Sequence, residues 1–117
     1  MTLLRDVAFT RSGDKGDVLD VSLFTRLDGG LPLWRAVAEQ VTAARVAALY
    51  GDWVTGEVVR YEVPNLLAFK FVCQGALGGG GPASLRADNL GKAMGSALLR
   101  LEVAWPEGPG VAERYTG

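Results

Sequence analysis

The residues best suited to chemistry fall in two short segments. Arg11-Ser12-Gly13-Asp14-Lys15-Gly16-Asp17 sets two cations, two carboxylates and a hydroxyl among glycines, and Ser84-Leu85-Arg86-Ala87-Asp88 follows the glycine run at 78–81 and leads to Gly91-Lys92. Glycines let a backbone present its amides, and Arg and Lys add charge-assisted donors, so both segments have the makings of an anion site. Arg11, Lys15, Arg86 and Lys92 would supply the cations, with Asp14 or Asp88 orienting them or moving a proton. Asp-to-amide and Arg-to-Asp bonds within a purely structural network would use the same residues, and the chemistry alone sides with that plainer reading. Both readings stay open.

What the chain lacks narrows the chemistry further. With no histidine and a single cysteine, Cys73, among 117 residues, a Ser-His-Asp triad, a Cys-His pair and the usual zinc sites are all excluded. No metal and no cofactor is expected. Cys73 alternates with Phe69 and Phe71, the pattern of a buried thiol acting as a small hydrophobe. Gly91-Lys92 is not a phosphate loop of the Walker type, which needs glycine where Arg86 stands and Ser or Thr where Ala93 stands. Gly91 and Gly95, one helical turn apart, instead suit close packing against a neighbour.

Twelve basic and thirteen acidic residues give a formal charge of -1, too balanced to attract nucleic acid. The chain is 49% hydrophobic with a mean hydropathy of +0.17. No apolar run reaches the roughly 18 residues needed to cross a bilayer, and Met1 to Asp6 does not read as a signal peptide, so a cytoplasmic location is expected.

The elements that must position the two segments follow from periodicity. Strands are expected at Leu3–Phe9 and Val18–Phe24, as neighbours, with a structured loop from Thr10 to Asp17 between them. Pro32 opens a helix that runs to Tyr50, with Gly51 as its cap, and Trp34, Val37, Val41, Ala44 and Ala48 form its apolar stripe. Val54–Val63 and Leu66–Gln74 read as an antiparallel hairpin turned by Pro64-Asn65, with Arg60, Glu62 and Lys70 on the face away from the aromatic core. Asp88 caps a second helix to Leu99, and Leu101, Val103 and Trp105 alternate as a last strand. The result is an α+β two-layer sandwich, ferredoxin-like. Its sheet is antiparallel or mixed, with about five strands and two helices on one face. One domain spans 1–105, and 106–117 reads as a loose tail.

Taken in order, Arg11 to Asp17, Arg60-Tyr61-Glu62-Val63-Pro64, the glycines at 78–81 and Ser84 to Lys92 resemble the ferredoxin-fold domain of the acyclic terpene utilisation protein A (AtuA) family, over about Val7 to Leu99. The resemblance carries Arg11, Ser12, Gly13, Asp14, Lys15 and Gly16 in the first segment, and Ser84, Leu85, Arg86, Asp88, Gly91 and Lys92 in the second. Asp20 stands where the family more often has Asn, and Asn89-Leu90 replaces a segment that usually carries Gln. In that family a large N-terminal domain precedes this one, in catabolism of acyclic terpenols through branched acyl-CoA esters. The resemblance therefore implies a free-standing small subunit or accessory domain, partnered by an AtuA-like large subunit, whose polar segments help to bind an acyl-CoA or another anion.

Two other functions fit the same residues. One is an autonomous enzyme in which Asp14 and Lys15 act as acid and base on a carboxylate or thioester held by Arg11 and Arg86. The other is a structural domain that forms a homo-oligomer through an exposed sheet edge. The shared-site reading requires the two polar segments to converge, with Asp14 or Lys15 near Arg86 or Asp88.

Overall fold

The computed structural model describes residues 1–15, 18–75 and 83–105, with the side chains of residues 14, 15 and 83–89 left out of the description. Alternation builds its main sheet. Strand β3 (Val18–Thr25) buries Leu19, Val21, Leu23 and Thr25, and β5 (Ala68–Gln74) buries Phe69, Phe71 and Cys73. Their antiparallel register sets Leu19 beside Cys73, Val21 beside Phe71 and Leu23 beside Phe69. These cross-strand pairs give the two inner strands a common apolar face. Strand β2 (Ala8–Lys15) flanks β3 and β4 (Val58–Val63) flanks β5, for the order β2-β3-β5-β4, antiparallel throughout.

Helices α1 (Gly30–Gln40), α2 (Ala43–Tyr50) and α3 (Ala83–Leu99) close over that apolar face. The Trp34 ring of α1 lies flat on Phe69 at 5.0 Å, its indole N–H donating to the Ala68 carbonyl at 2.9 Å. The Tyr50 hydroxyl of α2 donates to the Met94 carbonyl of α3 at 2.9 Å, tying the two helices together. A small second sheet pairs β1 (Thr2–Leu3) with β6 (Glu102–Val103). The Gln40 side chain accepts from the Ala104 amide at 2.5 Å, Arg45 donates to the Glu102 carbonyl at 2.7 Å, and the Thr2 hydroxyl donates to the Trp105 carbonyl.

The α+β class and the ferredoxin-like order hold, with a rearrangement at one edge. From β3 through the helical crossover, β4, β5, α3 and β6, the chain follows the β-α-β-β-α-β order. The strand after the last helix would close such a sheet beside β3. Here β2 has taken that place, and β6 pairs with β1 instead.

Several sequence expectations are corrected. Leu3–Phe9 is not one strand, because a 3-10 turn at Leu4–Asp6 separates β1 from β2. Thr10 to Lys15 is strand rather than loop. The ladder with β3, from Thr10 opposite Leu23 to Lys15 opposite Val18, overrides the weak strand preference of Gly13 and Asp14. The long helix is two helices. Val41, with φ −101° and ψ 76°, breaks it, and Thr42 begins α2 by accepting the Arg45 amide on its hydroxyl at 3.1 Å. The break resets the helical phase, so Val46 and Tyr50 are buried while Ala44 and Ala48 are exposed. Val54 and Leu66–Leu67 lie outside β4 and β5, the latter pair in and after a 3-10 turn that ends on Leu67 at φ 52°. Asp88 sits inside α3, which starts at Ala83. The last strand shortens to Glu102–Val103. Among the described residues there are six strands and three helices, against the expected five and two. The expected tail at 106–117 lies outside the described residues.

Candidate functional site

Strand alternation divides the first polar segment between two surfaces. Ser12 stands opposite Val21 in the register, on the side that α3 covers. A Cβ built on Gly91 would lie 2.5 Å from Ser12 Oγ and 3.0 Å from Ser12 Cβ, and one on Gly95 would lie 2.7 Å from Thr10 Oγ1. Both glycines are buried, and the expectation that they permit close packing is met. The contacts also give α3 its direction. Gly95 over Thr10 and Gly91 over Ser12 mean that the helix runs antiparallel to β2. Lys92, the next residue, is exposed.

Arg11 and Gly13 belong to the opposite face, which has no helix over it among the described residues. Arg11 pairs with Ser22, Ser22 with Lys70 and Lys70 with Tyr61, forming one row across the sheet. The next row starts with Gly13 opposite Asp20 and continues through Val72 and Val59. Asp20 packs close to Gly13, its carboxylate oxygens 3.3 Å from where a Cβ would stand. Lys70 Nζ lies 4.0 Å from Asp20 Oδ2, the outer limit of an ion pair. On the other side of the Arg11 row, Phe9 and Phe24 stack with centroids 5.1 Å apart. Phe9, Tyr61 and Lys70 are each about half exposed.

Arg60 and Glu62, expected on this open face with Lys70, lie on the other one, in register with Phe71 and Phe69. The Arg60 guanidinium donates to the Ala38 and Val41 carbonyls at 2.6 and 2.9 Å and to Glu62 at 2.7 Å, and sits over the Phe69 ring at 5.3 Å from its centroid. Its role is structural: it satisfies carbonyls left open where α1 stops.

Asp14 and Lys15 occupy register positions opposite Leu19 and Val18. Ser84, Arg86 and Asp88 belong to the N-terminal half of α3. The meeting of these side chains lies outside the described residues. The open face supplies Phe9, Ser22, Asp20 and Tyr61, none of them among the site residues expected from sequence. For Asp20 and Ser22 the signal was their alternation against Leu19, Val21 and Leu23.

Cys73 is buried. Burial, and then the negative charge of Asp20, push its thiol up to about 11. Burial and the nearby Cys73 push the Tyr50 phenol upward as well. Cys73 in the native protein is therefore expected to react with a thiol reagent at pH 8 at least about 100-fold more slowly than in urea. Equal rates in the two states would contradict its burial. Because the thiol and then the phenol ionise first in the unfolded chain, stability is expected to fall as pH rises past about 9; the thiol's share of the loss is complete once the folded thiol ionises near 11, and the raised phenol continues the decline above that.

No group of three or more His, Cys, Asp or Glu gathers as a metal site among the described residues, and none of their helices is long and apolar enough to cross a membrane. These elements define a two-layer α+β domain of ferredoxin-like order, with helices on one sheet face and the other face open. The chain belongs to the AtuA ferredoxin-like domain family, whose model matches residues 2–104. Comparison with curated proteins and with solved structures gave no match.

Proposed function

We propose that the chain serves as a small subunit or accessory domain of an AtuA-like protein, in catabolism of acyclic terpenes or related branched acyl-CoA esters. On this reading the end of the domain shared by the β2–β3 hairpin and the start of α3 contributes to an anion or acyl-CoA site. The antiparallel seating of α3 on β2 carries the reading. From Gly91 back to Ala83 the helix advances about 12 Å, and from Ser12 to Lys15 the strand advances about 10 Å, so both run toward the same end. Helix N-termini favour anions. Family membership supports the pathway, and on this reading Arg86, in the first turn of α3, supplies a cation.

The test is thermal unfolding of the chain, alone and mixed with an AtuA-like large protein, with CoA and a branched acyl-CoA ester as probes. At a concentration about 100 times Kd, binding adds about 2.7 kcal/mol, which for a domain this size is a rise of roughly 8–15 °C. Arg86→Ala is expected to leave the unliganded Tm nearly unchanged and to remove that rise. A large loss of unliganded Tm would make Arg86 structural, and no rise in either arm would remove the acyl-CoA site.

A further inference from the structure

The outer edge of β4 has no part in that reading. Alternate pairs of an antiparallel ladder exchange hydrogen bonds, and the Gln74 amide donates to the Glu57 carbonyl at 3.0 Å, one step before β4 begins. Counting on by twos, the bonded pairs are Val59 with Val72, Tyr61 with Lys70 and Val63 with Ala68. The backbone N–H and C=O groups of Val58, Arg60 and Glu62 therefore point away from β5, and no backbone group among the described residues pairs with them. An open ladder of this kind is a template for another strand. We infer that its occupant is β4 of a second copy of this chain, paired antiparallel about a two-fold axis at Tyr61. This inference does not depend on the acyl-CoA reading.

The strand is complementary to its own reverse. Val59-Arg60-Tyr61-Glu62-Val63 reads apolar, cation, aromatic, carboxylate, apolar. Antiparallel pairing about Tyr61 sets Val59 against Val63 of the second copy, Arg60 against its Glu62 and Tyr61 against its Tyr61. Arg60 and Glu62 then form the bonded pairs, so the open amides and carbonyls of both strands find partners. Tyr61, half exposed on the face away from the helices, becomes a non-bonded pair, whose side chains lie close together and are flanked by the two valine pairs. The axis stands normal to the sheet, so the two four-stranded sheets join as one with their helices on the same side.

Charge selects both the partner and the register. Within one copy the Arg60 guanidinium donates to Glu62 at 2.7 Å. In the pair each of these carboxylates also stands opposite the guanidinium of the other copy, so the four charges alternate in sign around the axis. A guanidinium has five N–H donors, and Arg60 makes three hydrogen bonds within its own copy, which leaves donors for a second carboxylate. A slip of two residues in one direction would oppose the two Arg60 side chains, and a slip in the other would oppose the two Glu62 side chains. A foreign strand would have to carry a carboxylate and a cation at the same two positions. The ladder is short, because the Gly56 amide bulges in to the Gln74 carbonyl before β4 and Pro64 after it has no N–H to give. Main-chain bonds therefore hold a weak dimer that is expected to dissociate on dilution.

Sedimentation equilibrium of the full chain from about 1 µM to about 1 mM reads the association, with circular dichroism confirming that each variant folds. The wild type is expected to pass from monomer to dimer within this range. Tyr61→Lys replaces an exposed ring and sets two ammonium groups against each other at the axis, and is expected to dimerise at least about tenfold more weakly. Tyr61→Cys brings two thiols together at a non-bonded pair, where a disulfide fits. Diamide, which takes up the two thiol hydrogens, is expected to link this variant at least about tenfold faster than Lys70→Cys, whose thiol stands in the same row one strand further in. The native Cys73 is buried and stays out of the reaction. A wild type that stays monomeric throughout this range would overturn the proposal and leave the edge to a different strand. A dimer indifferent to Tyr61→Lys, or equal linking of the two cysteine variants, would place the contact elsewhere and overturn it as well.

Discussion

Gly91→Leu is expected to lower the unfolding free energy by about 3 kcal/mol, measured by urea denaturation, because the new side chain has no room between α3 and β2. Even a Cβ at this position comes within 3.0 Å of Ser12 Cβ, which cannot rotate away, and within 2.5 Å of Ser12 Oγ, which can. Overpacking of this kind typically costs about 1–3 kcal/mol, and a full leucine sits at the upper end. Gly91→Ala is a closer contest. Helix propensity gains about 1 kcal/mol from the exchange while the clash costs a similar amount or more, so the net change is a loss of up to about 1.5 kcal/mol. In a Ser12→Ala background the hydroxyl clash disappears, and the cost of Gly91→Ala is expected to shrink by about 0.5–1 kcal/mol. Wild-type stability in Gly91→Leu would mean that the helix does not sit on the strand as described.

Arg60→Ala is expected to cost about 2–4 kcal/mol. The guanidinium reaches the Ala38 and Val41 carbonyls and the Glu62 carboxylate, and it covers the Phe69 ring. Truncation leaves carbonyls without a donor in a mostly covered place, and each such orphan costs about 1–3 kcal/mol. The Arg60 side chain is only 17% exposed, so water replaces it poorly. Arg60→Lys keeps the charge but not the planar fork that serves several acceptors, and is expected to recover less than half of the loss. Amide exchange should locate the damage, with faster exchange in α2 and at the α1–α2 break than in β3. Uniform acceleration across the chain, or a loss under about 0.5 kcal/mol, would remove Arg60 from this role.

Arg60 also shows why part of the fold could be read from sequence and part could not. The alternations at Leu19-Val21-Leu23 and Phe69-Phe71-Cys73 name the buried face correctly, because in the inner strands of a sheet hydrophobicity and burial agree. In the edge strand β4 they disagree. Val59, Tyr61 and Val63 form the more apolar set, yet Val58, Arg60 and Glu62 face the helices. Arg60 earns no place in the core by hydrophobicity. Its guanidinium lies over Phe69 while donating to carbonyls at the end of a helix far along the chain, and no local pattern carries that information.

The helix break followed a similar logic. The spacing of Trp34, Val37 and Val41 continues smoothly into Ala44 and Ala48, and only the Thr42 cap marks the interruption. Of the candidate site, the spacing of Gly91 and Gly95 was legible as a packing device. The split of Arg11 from Ser12 onto opposite faces was not, because a segment rich in Gly and Asp does not announce itself as a strand.

The pairing of β1 with β6 joins Thr2 to Val103 and Leu3 to Glu102. Both ends of the domain therefore leave from a single pole. A larger polypeptide tethered through either end would start from the same place, and would meet the same surfaces of the domain whichever end carried the linker. Gene fusion and gene fission between this domain and a bigger one are then nearly equivalent geometric events, since neither alters where the attachment stands relative to the sheet.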